Sequence, residues 1–429
     1  MAWQSEIAAV NQRVQVGAES TSALGTAVAC GKYLECFDFT FGIAPDVVFY
    51  TATGHKYATA QEENMEWVDG SASGWLDYNG LIYIFGGAMG ATTPVVHGSS
   101  AVAKDWVFTP PITGSIVPQT LSFQQGDAIR AREFAYGLFT EVGYKITRKE
   151  TTLTAKLIGQ PLTDDIVLTS NPTTIAVAPI SGKQVSVFLD TTQAGLGTTQ
   201  LLRALAVDWA FNSIYGQLWV LNRSTVGFTA HVDSKPTCTV KILEEANAEG
   251  MAFLSYLQSG VTYYLRVQAQ GACIDNLTSV SLGSPSGGTF TLTYGGQTTA
   301  TIAYNAAASA VESALALLSS IPSGDVTVTG SAGGPYAIEL TGALLNAQSG
   351  GVLSAITGSG TGLTGGTFAV TGEQSYLAMT HDMAIKVGKP SNFEDSDGVY
   401  AIEWECTVVE DSTWGHAQIL TLTNLLSSL

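Results

Sequence analysis

The chain has 429 residues, room for two to four domains at roughly 100–200 residues each. Lys and Arg total 18 against 36 Asp and Glu, a net charge of −18, which excludes a protein that grips nucleic acid by neutralising phosphates. Charged residues are only 13% and glycines number 46, a composition that suits a β-rich chain with many tight turns and a surface covered in part by partners.

The cysteines Cys30, Cys36, Cys238, Cys273 and Cys406 are scattered, odd in number and free of any CxxC pair. Neither a zinc ribbon nor a disulfide framework is expected. The N-terminal MAWQSEIAAVNQRV has no basic start followed by an apolar core, so no secretory signal is expected. No run of about 18 apolar residues predicts a membrane span.

In chain order, residues 1–30 read as a polar N-terminal arm ending in GAESTSALGTAV. Residues 34–41 (LECFDFTF) predict a strand, followed by a long loop over 42–64, a turn at 67–74 and a largely apolar stretch, LIYIFGGAMG. Loops of that length are usually functional. Short strands are predicted at 106–108, 121–123, 184–189, 201–211, 218–221 and 237–242, with two more around the basic patch in ITRKETTLTAKLIGQPL. EEANAEGMAFLSYLQSG predicts a helix, with Ala246, Met251, Leu254 and Leu257 sharing a stripe and Gly260 at its end. YYLRVQAQ alternates as a strand.

Between about 283 and 373 charges almost vanish. A strand, a GG turn, a second strand, a helix (Ala308, Val311, Leu315 and Leu318 in phase, Asn305 at its N-cap, Pro322 at its stop) and two more strands predict a small α+β domain of β-β-α-β-β order. It interrupts two strands of the earlier style, so the expected organisation is discontinuous: 1–280 with 375–429, and 283–373 inserted. The C-terminal part holds the clearest alternation. Leu377, Met379, His381, Met383, Ile385 and Val387 share one strand face; Tyr400, Ile402, Trp404, Cys406 and Val408 share another, opposite Glu403 and Glu405. SNFEDSDG supplies the loop between them.

No catalytic constellation is legible. His55, His97, His231, His381 and His416 lack metal-ligand spacing, GxSxG is absent, and GLGTTQ lacks a phosphate-binding lysine. Asp395-Ser-Asp397-Gly398 starts like a calcium loop without the later ligands. Glu62/Glu63 and Asp164/Asp165 are adjacent and read as solvated loops. NRS at Asn222 and NLT at Asn276 are sequons without a secretion signal. No enzyme, cofactor or metal is expected.

Several segments together resemble the major tail tube protein of long, non-contractile-tailed (siphovirus-type) bacteriophages: GAESTSALGTAV its opening arm, YKITRKETTLTAKLIGQPL its central strand pair, and FEDSDGVYAIEWECTVVED with GHAQILTLTNLL its closing strands. The low-charge insert resembles a small domain found in phage and bacterial surface proteins. Residues 85–130 match no part of that pattern. The resemblance implies a mainly β subunit, a β-sandwich with one flanking helix that joins its sheet edge to edge in hexameric rings. Rings would stack into a hollow tube around a tape-measure protein, between the tail terminator and tail-tip or baseplate proteins. DNA would cross the lumen without specific binding, and the insert would project outward as a decoration. The tail would assemble in the host cytoplasm and end in the virion, with no membrane partner. Glu19, Gly25, Thr26, Asp46, His55 and Tyr57 are the expected assembly-interface residues. The alternatives are another virion component, such as a head decoration or tail-tip protein, or a surface adhesin.

Overall fold

The computed structural model describes residues 12–100, 102–127, 129–221, 225–345, 348–349, 352–353 and 355–429. The first eleven residues of the expected arm and the sequon at Asn222 lie outside them.

The chain is mainly β. Its main body is built from antiparallel strands β1 (Arg13–Ala18), β2 (Phe37–Tyr50), β3 (Ala60–Trp75), β4 (Lys104–Phe108), β5 (Leu121–Gly126), β6 (Ala131–Thr147), β7 (Thr151–Gly159), β8 (Val185–Asp190), β9 (Ala204–Asn212), β10 (Tyr215–Leu218), β11 (Ala230–Asp233) and β12 (Thr237–Glu245). Strands β13 (Tyr263–Ser281), β14 (Gly287–Tyr294), β15 (Val326–Gly330), β16 (Tyr336–Leu340), β17 (Ala369–Pro390), β18 (Glu394–Ser396), β19 (Val399–Val408) and β20 (Gln418–Asn424) complete it and carry the insert. The principal sheet runs β2-β3-β7-β6-β9-β12-β19-β17-β13-β8, with β20 beside β17 and β4 beside β20. β6 bends where Tyr136 adopts φ 60; its first half pairs with β5, and β5 with β1. Residues 13–18 of the expected arm are therefore a sheet strand, because Val14 and Val16 have an apolar layer to join.

Helix α1 (Leu81–Met89) is buried at all nine positions. It lies against β6 and β4, with Phe85 near Phe108 and Trp209 (ring centroids 6.2 and 6.0 Å). Gly87 permits this depth, since a Cβ there would stand 2.6 Å from the Phe139 ring. Buried Asp77 sets its start, accepting from the Asn79 and Gly80 N–H groups and from Ala178 N–H. The expected single flanking helix is α2 (Ala248–Ser259), capped by Asn247 and ended by Gly260 in the left-handed region. Its inward face is Gly250 and Phe253, whereas Leu254, expected in the stripe, is exposed.

Residues 280–370 close a second hydrophobic core around Phe290, Leu292, Val311, Leu315, Tyr336 and Ile338. Helix α3 (Ala308–Ala316) starts at Ala307, two residues beyond the expected cap at Asn305, and its C-cap is Leu317, five residues before Pro322. The two cores are joined by uninterrupted β13 and β17, paired from Tyr263↔Ile385 to Ser281↔Ala369. The 97–100 loop braces the junction. Ser99 N–H donates to the Glu373 carboxylate, and Ser100 Oγ donates to Asp275. Gln270 and Ala378 are direct partners before the ladder's first irregularity. Replacing 271–377 by Asn-Gly therefore converts the junction into a two-residue hairpin. The shortened chain is expected to melt within about 2 °C of the parent main body, the most that ~1 kcal/mol produces in a domain of more than about 250 residues; calorimetry of both chains checks this.

β19 and β17 keep the expected faces except at Tyr400, which was expected on the apolar one. Met379, His381, Met383, Ile385, Ile402, Trp404 and Cys406 are buried, while Tyr400 is exposed and stacks on Phe393. The Asp397-Gly398 pair, both at positive φ (50 and 82), turns β18 into β19. Asp395 accepts from Gly398 N–H there, so the calcium-like segment is a hairpin turn.

Candidate assembly surfaces

The residues expected to form a loop over 42–64 and a turn at 67–74 are two long strands. β2 and β3 pair from Phe37↔Gly74 to Tyr50↔Ala60, with Asn64 the extra residue of a bulge between Asp46↔Met65 and Val47↔Glu63. Only the root of this hairpin lies on the body, since β3 pairs with β7 from Trp75↔Thr152 to Val68↔Gly159. Beyond Gly159 the hairpin continues as a two-stranded ribbon. At about 3.3 Å per residue, the eight residues from Val68 to Ala60 carry it roughly 26 Å past the sheet.

Along the ribbon no side chain is fully buried from Gly42 to Trp67. Ile43, Phe49 (62% exposed), Tyr50 and Tyr57 (83%) stand in solvent. Asp46, Glu62, Glu63 and Glu66 outnumber Lys56, so the shaft is acidic. Partial burial, and then the Glu63 carboxylate, raise the Glu66 carboxyl above its ordinary value. Among the described residues the outer edge of β2 is covered only near its root, where Gln125 Nε2 donates to Phe39 O (3.4 Å) and Arg132 Nη2 to Phe41 O (3.2 Å). Among the described strands none pairs with β2 on that side from Gly42 to Tyr50.

A second hairpin, β10 and β11, flanks the ribbon's root. Trp219, just past β10, packs between Trp67 (5.7 Å) and Phe228 (5.9 Å), and Glu66 N–H donates to Val226 O (3.0 Å). Leu218, Val220 and Leu221 beside it are exposed. This apolar tip was expected to be an ordinary strand; four apolar residues in a row (LWVL) were its only sequence signal.

The expected interface residues divide into two groups. Asp46 lies on the ribbon shaft opposite Met65, and His55 and Tyr57 lie at its exposed tip. Glu19 does not face a partner. It is 3% exposed and accepts four hydrogen bonds, from Gly25 N–H (2.7 Å), Thr120 Oγ1 (2.8 Å), Ser122 Oγ (2.9 Å) and Tyr136 N–H (2.8 Å). The carboxyl thus ties the 19–25 turn to β5 and to the bend of β6. Gly25 is required there: its φ is +76, and a Cβ would stand 2.4 Å from the Tyr136 ring. Thr26 follows, exposed. Gly25 also lies against Gln160, one residue past β7, so this turn sits at the end of the sheet from which the ribbon departs.

No protein-family model matches the chain, and no curated protein matches it. Among solved structures the chain is similar to one from Mycobacterium phage Patience. The identity is 14%, over 53% of this chain and 75% of that one, with a TM-score of 0.19. A TM-score of that size does not establish a shared fold.

No group of three His, Cys, Asp or Glu is placed to hold a metal among the described residues, and no helix of the described chain is long and apolar enough to cross a membrane. Asp164 pairs with Arg130 at the surface, and Asp190 organises the turn that follows it by accepting from Gly197, Thr198 and Thr199 N–H groups. His381 is fully buried between Tyr144 Oη (3.0 Å to Nδ1) and Gln418 Oε1 (3.2 Å to Nε2), beside Trp209. The carbonyl-type oxygen of Gln418 can only accept, which assigns the proton to Nε2 and leaves Nδ1 to accept from Tyr144. Burial lowers the imidazole from 6.5 to about 3, so the unfolded chain takes up this proton before the folded one does. Stability from this group is therefore complete above about pH 6.5 and lost on acidification toward pH 3, at about 1.4 kcal/mol per unit. His381→Gln is expected to flatten the acid limb of a stability–pH profile measured by denaturant unfolding.

Proposed function

We propose that the chain is the structural subunit of a phage tail tube, assembling through its sheet edges and ribbon into hexameric rings that stack around a hollow lumen. The observation that carries this reading is the ribbon. An isolated two-stranded hairpin is marginal in water, and an open strand edge with exposed aromatic residues is a site for pairing with another chain. A monomer gains nothing from presenting it. The open edge of β2, the apolar tip of Leu218, Val220 and Leu221, and the 19–26 turn gather at one end of the sheet, where a neighbouring ring would dock. The motif resemblance supplies the tube in particular. The net charge of −18 suits a conduit along which DNA passes without sticking, since like charge repels phosphate.

On this reading the partners are further copies of the chain, the tape-measure protein within, and the tail terminator and tip or baseplate proteins at the ends. No cofactor, metal or catalytic step is involved, and the insert projects from the outer wall through its two-strand stem. Light scattering and sedimentation over rising concentration test it. Masses at multiples of six subunits support the reading. A dimer or trimer that persists at every concentration turns it toward a decoration or adhesion role.

A further inference from the structure

Glu244, next to last in β12, lies opposite Ala204 of β9 and Ile402 of β19. It is fully buried, and neither carboxyl oxygen has a hydrogen-bond partner among the described residues. The strand period places Ile242 and Trp404 on the same face. The first turn of α2 closes over it, with Gly250 so near that a Cβ would stand 3.0 Å from the Glu244 Cβ. Phe253 of α2 stacks on Trp404, and Trp404 Nε1 donates to Gly250 O (2.9 Å).

Among the described residues no cation faces this carboxyl. Arg203 pairs with Glu245 and Lys241 with Glu403, and the strand alternation puts Lys241, Glu245 and Glu403 on the other face of the sheet. From α2 the charge that acts on Glu244 is Glu249, of like sign. Burial first, and then Glu249, push the carboxyl up to about 8. A carboxylate at this position would be an uncompensated buried charge.

Glu249 also reaches outward, where its Oε1 accepts from Leu202 N–H (3.0 Å). The residues just before Leu202 cover the outer edge of β8: Leu189 N–H donates to Thr199 O (2.9 Å), and Leu201 N–H donates to Val187 O (2.8 Å). We propose that α2 is a latch closed by a proton on Glu244, and that rising pH releases the helix and, with it, the 199–202 cover on the edge of β8. This holds whether or not the chain builds a tube.

The sign follows from which state keeps the proton. The closed latch holds it up to about pH 8, whereas an opened one releases it near the ordinary value of 4.5. Opening therefore becomes easier as pH rises through that window and levels off above it. Amide hydrogen exchange on the full chain between pH 5 and 9.5, corrected for the intrinsic pH dependence, tests this. Protection of 248–260, Leu189, Leu201 and Leu202 is expected to fall by up to tenfold per pH unit and level off above about pH 8. Glu244→Gln and Glu244→Met, the latter without any polar atom to bury, are both expected to remove that slope. A flat wild-type profile overturns the proposal by itself, even if both variants fail to fold. An equal slope in either folded variant overturns it too.

Discussion

Replacing Glu19 by alanine is expected to destabilise the main body by about 3–5 kcal/mol. Four donors converge on its carboxyl, two of them backbone N–H groups, at Gly25 and Tyr136. A buried donor left without its acceptor costs about 1–3 kcal/mol, and some of the four would regain water. The damage is not local. Tyr136 holds φ 60 at the bend of β6, a conformation that a bulky residue adopts only when its surroundings impose it. Without Glu19 that bend loses its fixed N–H, and the turn carrying Gly25 and Thr26 loses its attachment. Glu19→Gln keeps one acceptor oxygen and is expected to cost about half as much. Denaturant unfolding of the three proteins, followed by tryptophan fluorescence, checks the order.

Removing the ribbon is expected to have the opposite character: no loss of fold and complete loss of assembly. Asp46 and Met65 are direct partners, so replacing 47–64 by Asn-Gly closes the hairpin on its rooted part. The buried residues Phe37, Phe39, Phe41, Val68 and Ala72 keep their places. The shortened chain should melt like the parent and sediment as a monomer where the parent forms large species. Unchanged assembly of the shortened chain would remove the ribbon from the account.

How much was legible in the sequence depended on whether one face of an element is buried. β17 and β19 have one apolar and one polar face, and their alternation identified Met379 to Val387 and Ile402 to Cys406 as core. α1 shows no period because it is apolar all round; a helix buried on every side has no polar stripe to betray it. The ribbon fails for the reverse reason. With both faces in water, 42–66 has no reason to alternate, and its Gly, Pro and Asp residues imitate a loop. Glu19 carried no local sign of burial, because three of its four donors lie about a hundred or more residues away. The interface assignment came with the resemblance of GAESTSALGTAV to an opening arm, while the fold took the carboxyl inside.

The most direct measurement is electron microscopy of the purified chain at rising concentration. The account predicts six-fold rings and hollow tubes, and tubes of smaller outer diameter when the insert is excised at 271–377. Compact dimers or trimers without rings or tubes, at every concentration and pH, would contradict it.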